Sequence, residues 1–320
     1  MLVSDFSIRE LVVFAMPVFD VPTIHTMILV VEKSNPRGNV VKIANRIKHR
    51  AEIETAPRLE LAQTDLGKGS NSVFDVFVTR IFSKAQTDSE PLGDICYIRQ
   101  CIKTGDDEKY VRKSDQTLKS PWKPTLRGKS IMRYAIAETD LFVKYGNWLA
   151  RNWNNTSFYE VEKIGIRETG RRIIAALDTE HRYFLSSLYS IYPRRAVQAD
   201  FLKYVLAILN SKLGTYFAKT IALNYAEGAF TKMRTNQLAR IPIKTIGVDS
   251  LRPRYAALIR LAERIIATST AMAHTDRSTR EHTTQARLVE ELDARIDEAV
   301  FDLYGLNSDE IAIVEAELST

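Results

Sequence analysis

Phe158-Tyr-Glu-Val-Glu-Lys-Ile-Gly-Ile-Arg-Glu-Thr-Gly-Arg-Arg-Ile-Ile-Ala-Ala-Leu177 decides how this chain folds. Successive side chains of a strand point to opposite faces, so Lys163, Gly165, Arg167 and Thr169 share one face, opposite Ile164 and Ile166. Glu168-Thr-Gly-Arg-Arg172 breaks the run as a turn, and Ile173-Ile-Ala-Ala-Leu177 reads as a second strand. Working outward, strands are also expected at residues 95–98 and 141–145, around a turn at Lys103-Thr-Gly-Asp-Asp107 and loops that carry Trp122, Trp148 and Trp153. The centre of the chain is therefore β-rich.

Toward the start, Leu11-Val-Val-Phe14, Thr26-Met-Ile-Leu-Val-Val31 and Val40-Val-Lys-Ile43 read as short strands, too few to close a core of their own. Residues 73–82 mix β-branched and aromatic side chains and read as a further strand, with a buried helix as the alternative. From residue 200 the period changes. Phe201, Tyr204, Val205, Ile208 and Leu209 lie at helical spacing after a candidate cap, Asp200, and Pro242 ends the β-containing body. Residues 254–272 and 285–304 read as two helices around the polar stretch His274-Thr-Asp-Arg-Ser-Thr279. An apolar stripe runs through Leu288, Leu292, Ile296, Ala299 and Leu303, and Gly305 follows as a C-terminal stop. A last helix starts at Ser308. The fold class expected is α+β: a β-rich domain with flanking helices and a C-terminal helical hairpin. Its expected divisions are residues 1–50, 51–245 and 246–320.

Composition narrows the function. The 320 residues contain no apolar run long enough for a membrane span, and the first residues lack the layout of a secretory signal, so a cytoplasmic protein is expected. Two cysteines, Cys96 and Cys101, cannot build a disulfide framework or a four-ligand zinc site. The net charge of +6 is unevenly spread. Residues 99–172 carry 16 Lys/Arg against 9 Asp/Glu, and residues 173–245 carry 10 against 4. Residues 246–320 reverse the balance, 8 against 14, and residues 1–98 are near neutral, 11 against 12. A basic middle beside an acidic tail is the footprint of a polyanion-binding surface, although solvated faces of ordinary elements produce the same counts.

Catalytic motifs are scarce. Methylation of a base amine calls for a glycine-rich turn after a strand and a polar-Pro-Pro-aromatic loop that holds the flipped base. Asn35-Pro36-Arg37 has one proline and no aromatic residue, and Gly67-Lys68-Gly69-Ser70 does not follow a strand and lacks P-loop spacing. Glu160, Glu162 and Lys163 resemble an acid-x-Lys nuclease pattern without an identifiable partner acid, and the five histidines show no ligand spacing. No catalytic, metal or cofactor residues are expected in this chain, which alone is expected to be inactive.

Several segments, in order, resemble the TaqI-like C-terminal specificity (target-recognition) domain of type IIG restriction enzymes and adenine-specific DNA methyltransferases. These are Leu92-Gly-Asp-Ile-Cys96 with Ile102-Lys-Thr-Gly-Asp-Asp107, then Lys123-Pro-Thr-Leu-Arg-Gly-Lys-Ser-Ile-Met-Arg-Tyr134, then the stretch 158–177. Leu209-Asn-Ser-Lys-Leu213 and Leu238-Ala-Arg-Ile-Pro242 resemble the closing helix and its exit, and residues 296–306 resemble the tail that follows this domain. Ser130 stands where the family usually has an acid, and Val161-Glu162 where a proline often sits. Residues 1–50 resemble the last strands of a methyltransferase domain, so the catalytic half is expected to be missing and to lie just upstream.

The resemblance implies that residues 51–245 form a DNA target-recognition domain. Double-stranded DNA would be one partner and a methyltransferase catalytic domain or subunit, carrying S-adenosylmethionine, the other. Phosphate contacts would supply affinity and a few side chains would read base edges. The residues it points to are Lys123, Arg127, Lys129 and Arg133, then Lys163, Arg167, Thr169, Arg171 and Arg172, then Lys232 and Arg234. The competing reading is a non-specific nucleic-acid-binding protein that acts through its helical hairpin. A self-contained nuclease is a third.

Overall fold

A computed structural model of the chain describes residues 2–14, 18–19, 26–66, 80–137, 140–196, 198, 200–221, 232–245 and 252–319. The fold is α+β and divides into two compact units, Met1–Ser83 and Lys84–Thr320. Among the described residues no helix is long and apolar enough to cross a membrane.

The first unit is built on a four-stranded sheet in the order β2-β1-β3-β4, with short helical turns α1 (Leu2–Asp5) and α2 (Glu52–Thr55). Its strands are β1 (Ser7–Phe14), β2 (Met27–Glu32), β3 (Val40–Ile47) and β4 (Leu59–Ala62). β1 pairs antiparallel with β2 and parallel with β3. Val12, Phe14, Ala44 and Ile47 pack beneath Ile53 and Ala56. Gln63 ties the unit together by accepting from the Ile8 and Asn39 amides and donating to the Phe6 carbonyl. β2 differs from its neighbours. All six of its residues are exposed although five are apolar, so among the described residues nothing buries either face of this edge strand. Of the strand expected over residues 73–82, residues 73–79 lie outside the described residues, and Arg80 to Phe82 begin helix α3 (Arg80–Gln86) instead.

The second unit contains two four-stranded sheets whose buried faces meet. The first has the order β13-β12-β15-β6: β6 (Cys96–Gln100), β12 (Lys163–Arg167), β13 (Ala175–Asp178) and β15 (Leu188–Pro193). The second has the order β14-β8-β11-β7: β7 (Val111–Lys113), β8 (Trp122–Leu126), β11 (Leu141–Lys144) and β14 (Tyr183–Phe184). A two-stranded ribbon, β9 (Ile131–Met132) and β10 (Ala135–Ile136), lies between β8 and β11 in sequence, and β5 (Ser89–Pro91) pairs with β16 (Pro242–Lys244). Leu126, Ile131 and Phe184 pack on Ala176 and Leu188 from the facing sheet, and Ile102, Tyr159 and Tyr183 continue the core. The expected strand over 95–98 is preceded by a helical turn, α4 (Leu92–Ile95). The expected turn at 103–107 leads into α5 (Asp107–Tyr110), which Asp106 caps through the Lys109 amide.

Helices close one side. α6 (Phe201–Asn210) breaks at Ser211 and resumes as α7 (Lys212–Ile221), and α8 (Thr235–Leu238) precedes β16. Asp200 stands at the start of α6 without capping it; its carboxylate pairs with Lys203 at 2.8 Å. α9 (Arg252–Ala273) and α10 (Arg280–Leu303) form the expected hairpin, antiparallel because Arg254 at one end pairs with Asp302 at the other. Gly305 takes φ +65° and Leu306 donates to the Phe301 carbonyl, a glycine-terminated stop. The last helix, α11 (Ser308–Ser319), is capped by the reciprocal bonds of Asn307 and Glu310.

Candidate nucleic-acid interface

The residues singled out from the sequence lie at the two ends of β12 and on a third surface beside the C-terminal helices. At the start of β12 Lys163 is fully buried. Its ammonium donates to Asp178 at 2.9 Å and to the carbonyls of Tyr159 and Val161 at 2.7 and 3.2 Å, above the Phe184 ring. Burial pushes its pKa down, and Asp178 opposes that shift. Arg182 completes the carboxylate's shell through its amide and guanidinium. Lys163 is thus internal and presents no charge at the surface.

The shared face of Lys163, Gly165 and Arg167 is present, and it points inward. A side chain on Gly165 would come within 2.5 Å of Ile131 Cδ1 and 3.0 Å of the Phe184 ring, so the facing sheet covers it. Arg167 donates through Nε to the Ile131 carbonyl at 2.8 Å, and a second bond from Nη2 goes to the same oxygen. Its guanidinium fastens the β9 ribbon to β12. Lys123 also lies near the start of β12, paired with Glu160 at 3.0 Å. The Tyr183 hydroxyl, donating at 2.7 Å, and Lys123 both pull the Glu160 pKa down. Glu160 and Lys163 therefore face different neighbours and do not converge on one point. Among the described residues no group of His, Cys, Asp or Glu is placed to hold a metal ion.

At the other end of β12 five more of them gather. Gly128 donates its amide to the Ser187 hydroxyl at 2.8 Å, which places the turn of Arg127 and Lys129 against the β14–β15 connection. Glu168 donates its own amide to the Ser187 carbonyl at 3.1 Å and accepts from the Met233 amide, and Thr169 bridges Lys232. Arg127, Lys129, Thr169, Lys232 and Arg234 thereby surround the end of one strand. Of these, Lys129, Thr169, Lys232 and Arg234 are exposed, and Arg127 is half-buried. The shell of backbone bonds holds them on a rigid frame rather than on free loops.

Arg133, Arg171 and Arg172 lie on a third surface, lining a cavity of about 570 Å³ beside α7, α10 and α11. Arg133 grips Asp293 of α10 through both guanidinium nitrogens, at 2.5 and 2.6 Å, and donates to the Asn210 carbonyl at 2.7 Å. Tyr134, buried and at φ +66°, adds its hydroxyl to Asp293 at 3.2 Å. Arg133 is therefore part of the seam between the body and the hairpin. Arg171 and Arg172 are exposed and make no ion pair among the described residues.

Two features carried no signal in the sequence. Glu168 stands within the cationic end, its Oε1 held by Lys232 at 2.8 Å and by the Tyr189 hydroxyl at 2.9 Å. Arg99 lies over the rings of Phe158 and Trp153, at 4.1 and 4.9 Å, and donates to the Tyr192 hydroxyl at 2.6 Å, pinning the 153–158 loop to β6. An acid among basic residues, and an arginine 59 positions from its phenylalanine, are ordinary in a sequence and acquire meaning only from the fold. Of the tryptophans, Trp148 is the exposed one, at 48%, with Lys144 above its ring.

Residues 123–243 match the family model of the TaqI-like C-terminal specificity domain, the segment that holds both ends of β12 and all eleven of the residues singled out above. Among solved structures, the chain resembles the type IIL restriction-modification enzyme MmeI in complex with DNA, with a TM-score of 0.47 and 10% identity over 98% of this chain. It also resembles the type IIG restriction endonuclease BpuSI, with a TM-score of 0.41 and 10% identity over 95% of this chain. The chain spans less than half of either structure, 46% and 44%. No curated protein matches it.

Proposed function

We propose that this chain is the sequence-reading part of a restriction-modification enzyme acting on double-stranded DNA. The observation that carries this reading is the gathering of Arg127, Lys129, Thr169, Lys232 and Arg234 around one end of β12, inside the segment that matches a specificity domain. Exposed cations on a rigid frame supply salt-dependent attraction to phosphates, and the polar groups among them are close enough to the surface to meet base edges. We assign the chemistry, N6-methylation of adenine with S-adenosylmethionine, to a catalytic part that works with this chain. The sequence lacks the polar-Pro-Pro-aromatic loop that such chemistry uses.

The first unit supports the same division of labour. A strand buried on both faces reads as a continuous apolar run, which is the pattern of β2, yet no described residue buries either of its faces. Such an edge fits a sheet that a catalytic part continues. The alternative, non-specific binding through the helical hairpin, finds no excess of positive charge there, because residues 252–303 carry 8 Lys/Arg against 9 Asp/Glu.

The test is duplex affinity as a function of salt, for the wild type and for Arg127→Ala with Lys129→Ala. The account expects affinity to fall steeply with salt, and the double variant to bind several-fold more weakly with a shallower dependence, about one unit of slope less per lost phosphate contact. Equal affinity and equal slope in wild type and variant would remove this end of the body from the interface.

A further inference from the structure

A surface evolved only to grip phosphate should exclude a carboxylate, yet Glu168 sits at the centre of the cationic end. Its position is heavily constrained. Its amide donates to the Ser187 carbonyl, its carbonyl accepts from the Met233 amide, and it directly follows Arg167, whose guanidinium is fastened to the Ile131 carbonyl. The side chain is fixed at one oxygen only. Lys232 Nζ lies 2.8 Å and the Tyr189 hydroxyl 2.9 Å from Oε1, and the hydroxyl also lies 2.8 Å from the Met233 carbonyl. Tyr189 is itself buried, so the anchor comes from the core. Oε2 has no hydrogen-bond partner among the described residues, and the side chain keeps 18% of its surface.

Charge balance with Lys232 does not account for this arrangement. The lysine side chain is 61% exposed, and an ion pair so open to water contributes little to stability. What the geometry does provide is an oriented acceptor that no described residue occupies, set among side chains that would bring a phosphate backbone close. In the major groove the N4 amine of cytosine offers a carboxylate oxygen a donor flanked by an acceptor on one side only, O6 of the paired guanine. The N6 amine of adenine lies between two acceptors, its own N7 and O4 of the paired thymine, which repel the rest of the carboxylate from both sides.

Resting on the DNA-reading function above, we propose that Glu168 determines specificity at one position of the recognised site, accepting a hydrogen bond from cytosine N4 through Oε2. Lys232 and Tyr189 act as positioning residues that aim the carboxylate.

The experiment uses the full chain. The duplex bound best from a random pool is substituted base by base, and affinities are measured for the wild type, Glu168→Gln and Tyr189→Phe. The expected result is that the wild type requires a cytosine at one position. Glu168→Gln should lose about ten-fold of that preference there and keep its preferences elsewhere, the size expected for one base contact. Tyr189→Phe, which leaves the carboxylate but removes an anchor, should weaken the same preference by a smaller factor. Glu168→Gln with unchanged preference at every position, or with affinity lowered uniformly, would overturn the inference and leave the DNA-reading function standing. A wild type that binds all duplexes alike would overturn both.

Discussion

Asp297 shows how much the surroundings of one residue decide. It lies on α10, buried, with Oδ1 accepting from the Lys212 amide at the start of α7 at 2.7 Å. Burial raises its pKa from 3.8 to about 6, with the Lys212 amide acting in the opposite direction. Between those values the folded chain holds a proton that the unfolded chain has released. Stability therefore falls as pH rises from about 4 to about 6 and levels off above. At neutral pH the ionised carboxylate costs the fold on the order of 2–3 kcal/mol. Asp297→Asn keeps an acceptor for the Lys212 amide and removes the ionisation. Urea unfolding at pH 4.5 and pH 7 should show the wild type losing more stability than the variant over that interval. An identical loss in both would assign the pH dependence to other groups.

Residues also mark the boundary of what the sequence discloses. Alternation placed Lys163, Gly165 and Arg167 on one face of β12, and that face exists. Period alone says which side chains share a face, never whether something covers it. The cover is Ile131 and Phe184, about 32 residues before and 21 after Lys163, and it turns a presumed contact surface into core. The ion pair of Arg133 is hidden from the sequence for the same reason. Its partner, Asp293, lies 160 positions away, and no local pattern announces a bond of that span. Replacing Arg133 would leave a mostly buried carboxylate short of its partner, so its loss would report on folding as much as on DNA.

At the scale of elements, the junction of α6 and α7 is the tightest point of the helical side. A Cβ on Gly214 would lie 2.2 Å from the Ile208 carbonyl oxygen and 2.6 Å from that of Leu209, both backbone atoms that cannot swing aside. Ser211 breaks the helix here with ψ 163°, and its hydroxyl accepts from the Gly214 amide at 3.0 Å. Gly214→Ala should destabilise the chain by about 1–3 kcal/mol, read as a lower urea midpoint with an unchanged slope; an unaltered midpoint would mean that the junction tolerates a wider angle. The helices themselves were legible from their apolar spacing, and α9 and α10 lie within a few residues of expectation. The short strands β8, β14 and β15 were not, because strands of two to six residues in a two-sheet body carry little periodic signal.

Across the whole second unit, the acidic tail and the basic middle are partners in part. Asp293 and Glu315 of the C-terminal helices neutralise Arg133 and Lys212, while Arg171 and Arg172 stay exposed on the same cavity. The end of β12 with Lys129, Lys232 and Arg234 is another place where positive charge is exposed, which is the arrangement expected of a surface that meets a polyanion. Selection of duplexes from a random pool by the full chain, at low and at near-physiological salt, decides whether this chain reads sequence. The account predicts enrichment of one short motif at both salt concentrations, with less DNA retained at the higher one. Salt-sensitive retention of the pool without an enriched motif would contradict it, and would make the chain a general binder of polyanions.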